Sequence, residues 1–267
     1  MNNNYYYNTL AFFLISALYC TNIETHAPSL ASFKHKSAAV LPIFKQKNNH
    51  ALSKLPINSC SDTSDVWVLL MREVPGKSGG GTYAPASGKA EKGETALETA
   101  AHEAFEEMIT QKTMHKSLKQ MEHYLQPRHE YNHTRHIIVY DRTKKNISKN
   151  VTYVTEFDYY INDIHNKFYP ALAKAKKAAH AAKKKYSAFT EKDYLAYVKW
   201  DDLQKIIVDN PGNNHLDMEA FVVNPKTLKL KKERITLRPF FVLTIRGFFE
   251  GRTYTAGKEP KVRFYYD

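Results

Sequence analysis

From Gly88 to Glu107 the chain sets a glycine, a glutamate six residues on at Glu94, and then His102-Glu103-Ala-Phe-Glu106-Glu107. Beyond Thr95 the apolar residues Leu97, Ala101, Ala104 and Met108 recur at helical spacing, which predicts a helix with that stripe turned to a core. Glu103, Glu106 and Glu107 then share another face, because residues three and four apart on a helix are neighbours. Three anions so close repel one another unless a cation sits among them. Mg²⁺ and Mn²⁺ suit such a place, since they take oxygen ligands, keep several waters and bridge carboxylates to phosphates. The alternative is a solvated acidic face on an ordinary surface helix.

With the lead-in Tyr83-Ala-Pro-Ala-Ser-Gly88, this arrangement resembles the Nudix box: a glycine, a glutamate six residues on, then Arg-Glu-apolar-x-Glu-Glu-x-Gly-apolar. The resemblance to Nudix hydrolases implies an α/β (α+β) fold in which a mixed sheet is sandwiched between helices. It also implies hydrolysis of a diphosphate bond in a nucleoside diphosphate linked to another moiety, or in a related polyphosphate. The cofactor so implied is Mg²⁺ or Mn²⁺, held by Glu103, Glu106, Glu107 and the carbonyl of Gly88. Glu103 and Glu107 carry the catalytic role in this reading, Glu103 as general base, with Glu94 in support. Some members take a further carboxylate from a later loop, and Glu191 stands at that place.

Two positions depart from the pattern. His102 replaces an arginine that holds the acidic cluster through two parallel hydrogen bonds, whereas an unperturbed histidine is mostly neutral at pH 7. Ile109 replaces the glycine that closes the helix, so the helix is expected to run on into Lys112. Neither change removes a metal ligand, which favours an active enzyme. The alternative is a catalytically degenerate module that binds a nucleotide, a polyphosphate or RNA in the same cleft.

Strands are predicted at Ser37–Phe44, Val66–Arg72 and Val151–Ile161, which are apolar or β-branched runs bounded by polar residues. A late strand from Tyr194 leads through Trp200 into a short helix with Asp201 as its N-cap. Arg238–Phe249 reads as a packing helix with Pro239 in its first turn, its phenylalanines serving as core. A long loop follows the first strand, and Asp209–Asn214 is a turn. Residues 1–35 are set apart as a signal-like or disordered segment, 36–254 as the Nudix-type domain and 255–267 as a tail, with a Lys/Ala-rich helical insertion at about 162–187.

The chain has 267 residues, 43% of them hydrophobic, enough for a full core. Its formal net charge of +12 favours polyanionic partners. Six lysines and no acid lie between Pro170 and Phe189, where alanine content favours helix. Lys183, Lys184 and Lys185 are candidates for contacts to substrate phosphates, in a phosphoanhydride-containing small molecule, a capped RNA end or a diphosphoinositol phosphate; a solvated polar helix is the alternative.

Thr9–Cys20 is an apolar run of signal-peptide length and too short to span a bilayer comfortably, so no stable membrane insertion is expected. No Lys or Arg precedes Lys34, which leaves export and a cytoplasmic location both open. Cys20 and Cys60, the only cysteines, do not make a disulfide framework. The histidines around Pro127 match no zinc spacing, and neither a Walker loop nor a serine-nucleophile motif occurs.

Overall fold

The computed structural model describes residues 35–45, 66–77, 79–108, 118–126, 133–141, 149–157, 161–183, 190–250 and 261–265. The N-terminal apolar run, both cysteines, Ile109, Lys184 and Lys185 lie outside them. Ten strands join into one sheet: β1 (His35–Lys45), β2 (Val66–Glu73), β3 (Tyr83–Ala84), β4 (Ala86–Lys89), β5 (Thr134–Asp141), β6 (Lys149–Glu156), β7 (Lys192–Lys199), β8 (Asp217–Val223), β9 (Leu230–Thr236) and β10 (Lys261–Tyr265). Their main order is β10-β5-β6-β1-β2-β7-β8-β9. The β1–β6 pair is parallel, and the other pairs are antiparallel.

The centre of the sheet is split. β1 pairs with β2 only through Ile43, Phe44 and Lys45, while farther along Ser37–Val40 pair with β4. Met71 and Arg72 of β2 pair with β3 instead. The two central strands therefore part, and Tyr83–Lys89 fills the wedge between them. Pro85 sits at the break between β3 and β4, where its missing N–H costs the ladder nothing.

Among the described residues five helices cover the sheet: α1 (Ala96–Glu107), α2 (Leu118–Leu125), α3 (Ile161–Ala181), α4 (Trp200–Val208) and α5 (Pro239–Phe249). Leu203 and Ile207 of α4 and Phe241, Val242 and Ile245 of α5 pack on alternate residues of the central strands, Leu41, Ile43, Val68, Leu70, Ala196 and Val198. Alternation follows from the two-residue period of a strand. The other face presents Phe44 and Tyr197, whose rings meet edge-on at 6.1 Å. Phe157 links Phe44 to Tyr124 of α2, α1 packs beside α2, and His165 of α3 hydrogen-bonds the Tyr197 hydroxyl at 2.8 Å. Burying a side chain as large as Phe44 contributes roughly 2–3 kcal/mol. The fold is thus the expected α+β arrangement, a mixed sheet between helices.

Several expected boundaries move. The third predicted strand ends at Glu156, and Ile161 instead opens α3. α3 is no free-standing lysine helix: Ile164, His165, Phe168, Tyr169 and Leu172 are buried, and the Tyr169 hydroxyl donates to the Val223 carbonyl. Its lysines occupy the opposite, exposed face. Asp201 does not cap α4, because the helix begins at Trp200 and Lys199 holds the cap position without a side-chain bond; Asp201 instead lies in the first turn, where its charge favours the helix dipole. Within the segment expected to be a disordered tail, Lys261–Tyr265 pairs with β5.

α1 differs most. It ends at Glu107 with Met108 as C-cap, rather than running on into Lys112. Thr95 and Glu98 form a capping box, with the Thr95 N–H donating to Glu98 Oε2 at 2.7 Å and the Glu98 N–H to Thr95 Oγ1 at 3.2 Å. The buried face carries Ala96, Thr99, Ala100, Ala101, Ala104 and Glu107, and Leu97 is only half-buried. Glu107, one turn after Glu103 and so beside it on the helix, is the more deeply buried of the two.

Candidate active site

Gly88 lies in β4 against α1. A Cβ placed there would fall 1.8 Å from Glu103 Oε1, so only glycine lets this carboxylate reach the strand backbone. Burial first, and then the charge of Glu106, push the Glu103 carboxyl up to about 7, with Glu191 adding to the effect. The charges of His102 and Lys192 oppose this rise, although among the described residues neither forms an ion pair with Glu103. Glu191, at the end of the loop before β7, is ion-paired with Lys77 and lies close enough for its charge to be felt at Glu103.

Glu107 is in a different position. Its Oε2 accepts the Ser87 N–H at 2.8 Å, and its Oε1 lies 3.2 Å from the Lys192 ammonium. Lys192, 1% exposed, also donates to Glu73 Oε1 at 2.5 Å, and Arg238 Nη1 reaches the same oxygen at 2.7 Å. Glu107, Lys192, Glu73 and Arg238 thus close into one network, buried except at Arg238. Burial raises the Glu107 carboxyl to about 8 even against the pull of Lys192. Burial also opposes the Lys192 charge, but Glu107 and Glu73 outweigh it and hold its pKa above the ordinary lysine value.

His102 takes the place of a two-pronged cation. Its Nδ1 lies 3.1 Å from Glu94 Oε1 and its Nε2 3.2 Å from Glu106 Oε1. Burial works against its charged form, yet the bond to Glu94 and the charges of Glu106 and Glu94 raise its pKa above the ordinary value. Glu94 is itself held in place, since its Oε2 accepts from Thr99 Oγ1 and from the Glu91 N–H, each at 2.9 Å. Burial disfavours its charge, but these bonds and His102 prevail and lower its pKa.

Among the described residues, the group of three acidic and imidazole side chains whose ligand atoms all come within 4.8 Å of one another is Glu91, Glu94 and His102. Glu103, Glu106 and Glu107 share a helix without converging, as mutual repulsion dictates. Glu106 and Glu191 bring carboxylate charge to bear on Glu103, and the glycine cradle lets its carboxylate meet backbone. That chemistry fits Mg²⁺ or Mn²⁺ at Glu103, Glu106, Glu191 and the Gly88 carbonyl.

Behind β4 lies a cavity of about 300 Å³. Ser37, Asn150 and Thr152 give it a polar wall, Phe240 and Arg238 close it from the start of α5, and Ser87 and Gly88 belong to its lining. The β4 residues that touch Glu107 and Glu103 thus also border the cavity. Phe240 is 39% exposed and meets Tyr140 edge-on at 6.2 Å, whereas Phe241 and Phe249 are buried in the core as expected. Lys183, just past the end of α3, is exposed. Phe240 departs from the core role expected of the phenylalanines in this helix, and Lys192, Glu73 and Arg238 had no sequence signal for a site role, since their partners lie far away in the chain and a lone charge opening a strand carries no periodicity.

No protein-family model matches the chain, and no curated protein matches it. Among solved structures, a MutT/nudix family protein from Enterococcus faecalis is similar over 92% of this chain and 73% of its own, at 12% identity and a TM-score of 0.35. The Nudix hydrolase RenU from M. smegmatis is similar over 46% of this chain, at 15% identity and a TM-score of 0.27. The chain spans 60% of the length of that mycobacterial protein. Identities this low leave activity and substrate to be argued from the side chains.

Proposed function

We propose that this protein is a metal-dependent Nudix-type hydrolase cleaving the diphosphate bond of a nucleoside diphosphate linked to another group, or of a related polyphosphate. The observation that carries the reading is the meeting of Glu103 with Gly88 at the rim of the cavity. A partly buried carboxylate held in no ion pair among the described residues, beside a second carboxylate and a pocket of nucleotide size, is an arrangement that suits a divalent ion and a phosphorylated ligand.

In this reading Glu103, Glu106, Glu191 and the Gly88 carbonyl hold the ion. Bound Mg²⁺ or Mn²⁺ would supply an activated water and neutralise charge on the diphosphate oxygens. Glu103 would also serve as the general base, holding the proton that hydrolysis releases. The Glu94–His102–Glu106 chain keeps the outer carboxylate in place, as residues behind a metal site do. The cavity receives the rest of the substrate, with Phe240 offering a ring face and Asn150 an amide edge to a planar group. Arg238 at its lining adds positive charge.

One observation favours a second reading, a module that binds nucleotide, polyphosphate or RNA without cleaving it: both oxygens of Glu107 are already engaged. Phosphate release by the purified full chain with Mg²⁺ or Mn²⁺ separates the two. The panel comprises ADP-ribose, dinucleoside polyphosphates, nucleoside triphosphates, capped RNA and diphosphoinositol phosphates. Metal-dependent cleavage that Glu103→Gln lowers by about a thousandfold supports the enzyme. Binding with no cleavage of any member supports the module.

A further inference from the structure

The carboxylates of the box are served by two different kinds of positive charge. Glu107 already has its cation: Lys192, carried in by the first residue of β7, lies 3.2 Å from its Oε1. The same ammonium holds Glu73 at 2.5 Å, and Arg238 completes the balance at 2.7 Å from Glu73. The Ser87 N–H occupies the other Glu107 oxygen. Glu106 has His102, while among the described residues Glu103 makes no ion pair, although the charges of His102 and Lys192 reach it. A buried ammonium tied to two carboxylates is costly to displace, because withdrawing it strands two anions away from water.

We infer that Lys192 is a permanent, protein-borne cation of the acidic site. It makes Glu107 an anchor that ties α1 to β4, and it leaves divalent metal to Glu103, Glu106 and Glu191. The inference rests on the metal-site reading above and goes beyond it, because the site then takes one divalent ion fewer than it would with all three box carboxylates free. Lys192 is here a positioning residue. It fixes the end of α1 against Ser87 and thereby the place of Glu103, one helical turn earlier.

Counting bound Mn²⁺ by electron paramagnetic resonance and calorimetry, on the full chain without substrate, tests this apart from catalysis. Lys192→Met should bind one Mn²⁺ more than wild type, and added Mn²⁺ should raise its melting temperature more than that of wild type. Lys192→Arg should keep the wild-type count. Glu103→Gln should weaken Mn²⁺ binding by about tenfold or more, whereas Glu107→Gln should change it by less than about threefold. This second pair decides the matter if Lys192→Met fails to fold. Equal counts in wild type and Lys192→Met, or equal losses for the two glutamates, would overturn the inference while leaving the metal site standing. Wild type that binds no Mn²⁺ at all would overturn both.

Discussion

Gly88 shows how narrow the tolerance is at the scale of one residue. An added methyl would sit 1.8 Å from Glu103 Oε1, well inside contact distance, so the carboxylate must swing away from the strand. Since it is the end of a flexible side chain that yields, the fold should survive. Gly88→Ala should therefore melt within a few degrees of wild type while turnover falls on the order of a hundredfold, the usual effect of a misplacement of about 1 Å at a reacting group. Parallel thermal melts and phosphate-release assays check it, and a variant that turned over normally would show that Glu103 need not touch β4. Glu107 marks the opposite case, a carboxylate that repeats the box spacing but is spent on Lys192. Spacing along the chain made Glu103, Glu106 and Glu107 look equivalent, and only the packing of α1 tells them apart.

Elements were legible where a local signal sets them and obscure where a distant partner does. The apolar runs of β1 and β2 and the Pro-initiated α5 could be read directly, because burial on a strand or helix face leaves a period in the sequence. The rotation of α1 could be read in part: Ala101, Ala104 and Met108 of the expected stripe are buried, while Leu97 is only half-buried and Ala100, whose small side chain gives no periodic signal, joins the core. α3 hid its nature behind Pro170 and its lysines. Its inward face carries His165, which burial holds neutral with a pKa lowered to about 4. In the unfolded chain this imidazole protonates near 6.5, so as pH falls below that value the unfolded state gains protons that the native state refuses until about pH 4. The stability tied to a neutral His165 is full above the unfolded pKa and is lost on acidification across that window, at most roughly 3 kcal/mol. Urea unfolding at pH 7 and pH 5 should show the loss. His165→Gln, which keeps a hydrogen-bonding group for Tyr197 but does not titrate, should show a smaller one. An unchanged difference would place the acid sensitivity elsewhere.

At the scale of the molecule the question is where the excess positive charge acts. β9 looks strongly basic in sequence, yet its charges are matched: Lys231 pairs with Glu233, Lys232 with Glu219 and Arg234 with Asp217. Such an edge mainly discourages strand addition. The exposed lysines of α3, Lys174, Lys176 and Lys177, have no acid among residues 170–189 to match them, so this helix carries a larger share of the +12 field. A polyanion approaching the sheet would be drawn by that field rather than by any one contact, and salt screens such attraction beyond about 10 Å at 0.1 M. For an anionic substrate, kcat/KM should then fall about tenfold between 20 and 500 mM salt, mostly through KM. Replacing Lys174, Lys176 and Lys177 together by glutamine should lower kcat/KM at low salt and flatten its salt dependence, with kcat and the melting temperature held, because none of the three is buried. A salt dependence unchanged by these replacements would assign the steering to Arg238, Lys36 and Lys89 around the cavity. The Lys/Ala-rich helix would then be a solvated outer face of a helix whose inner face belongs to the core.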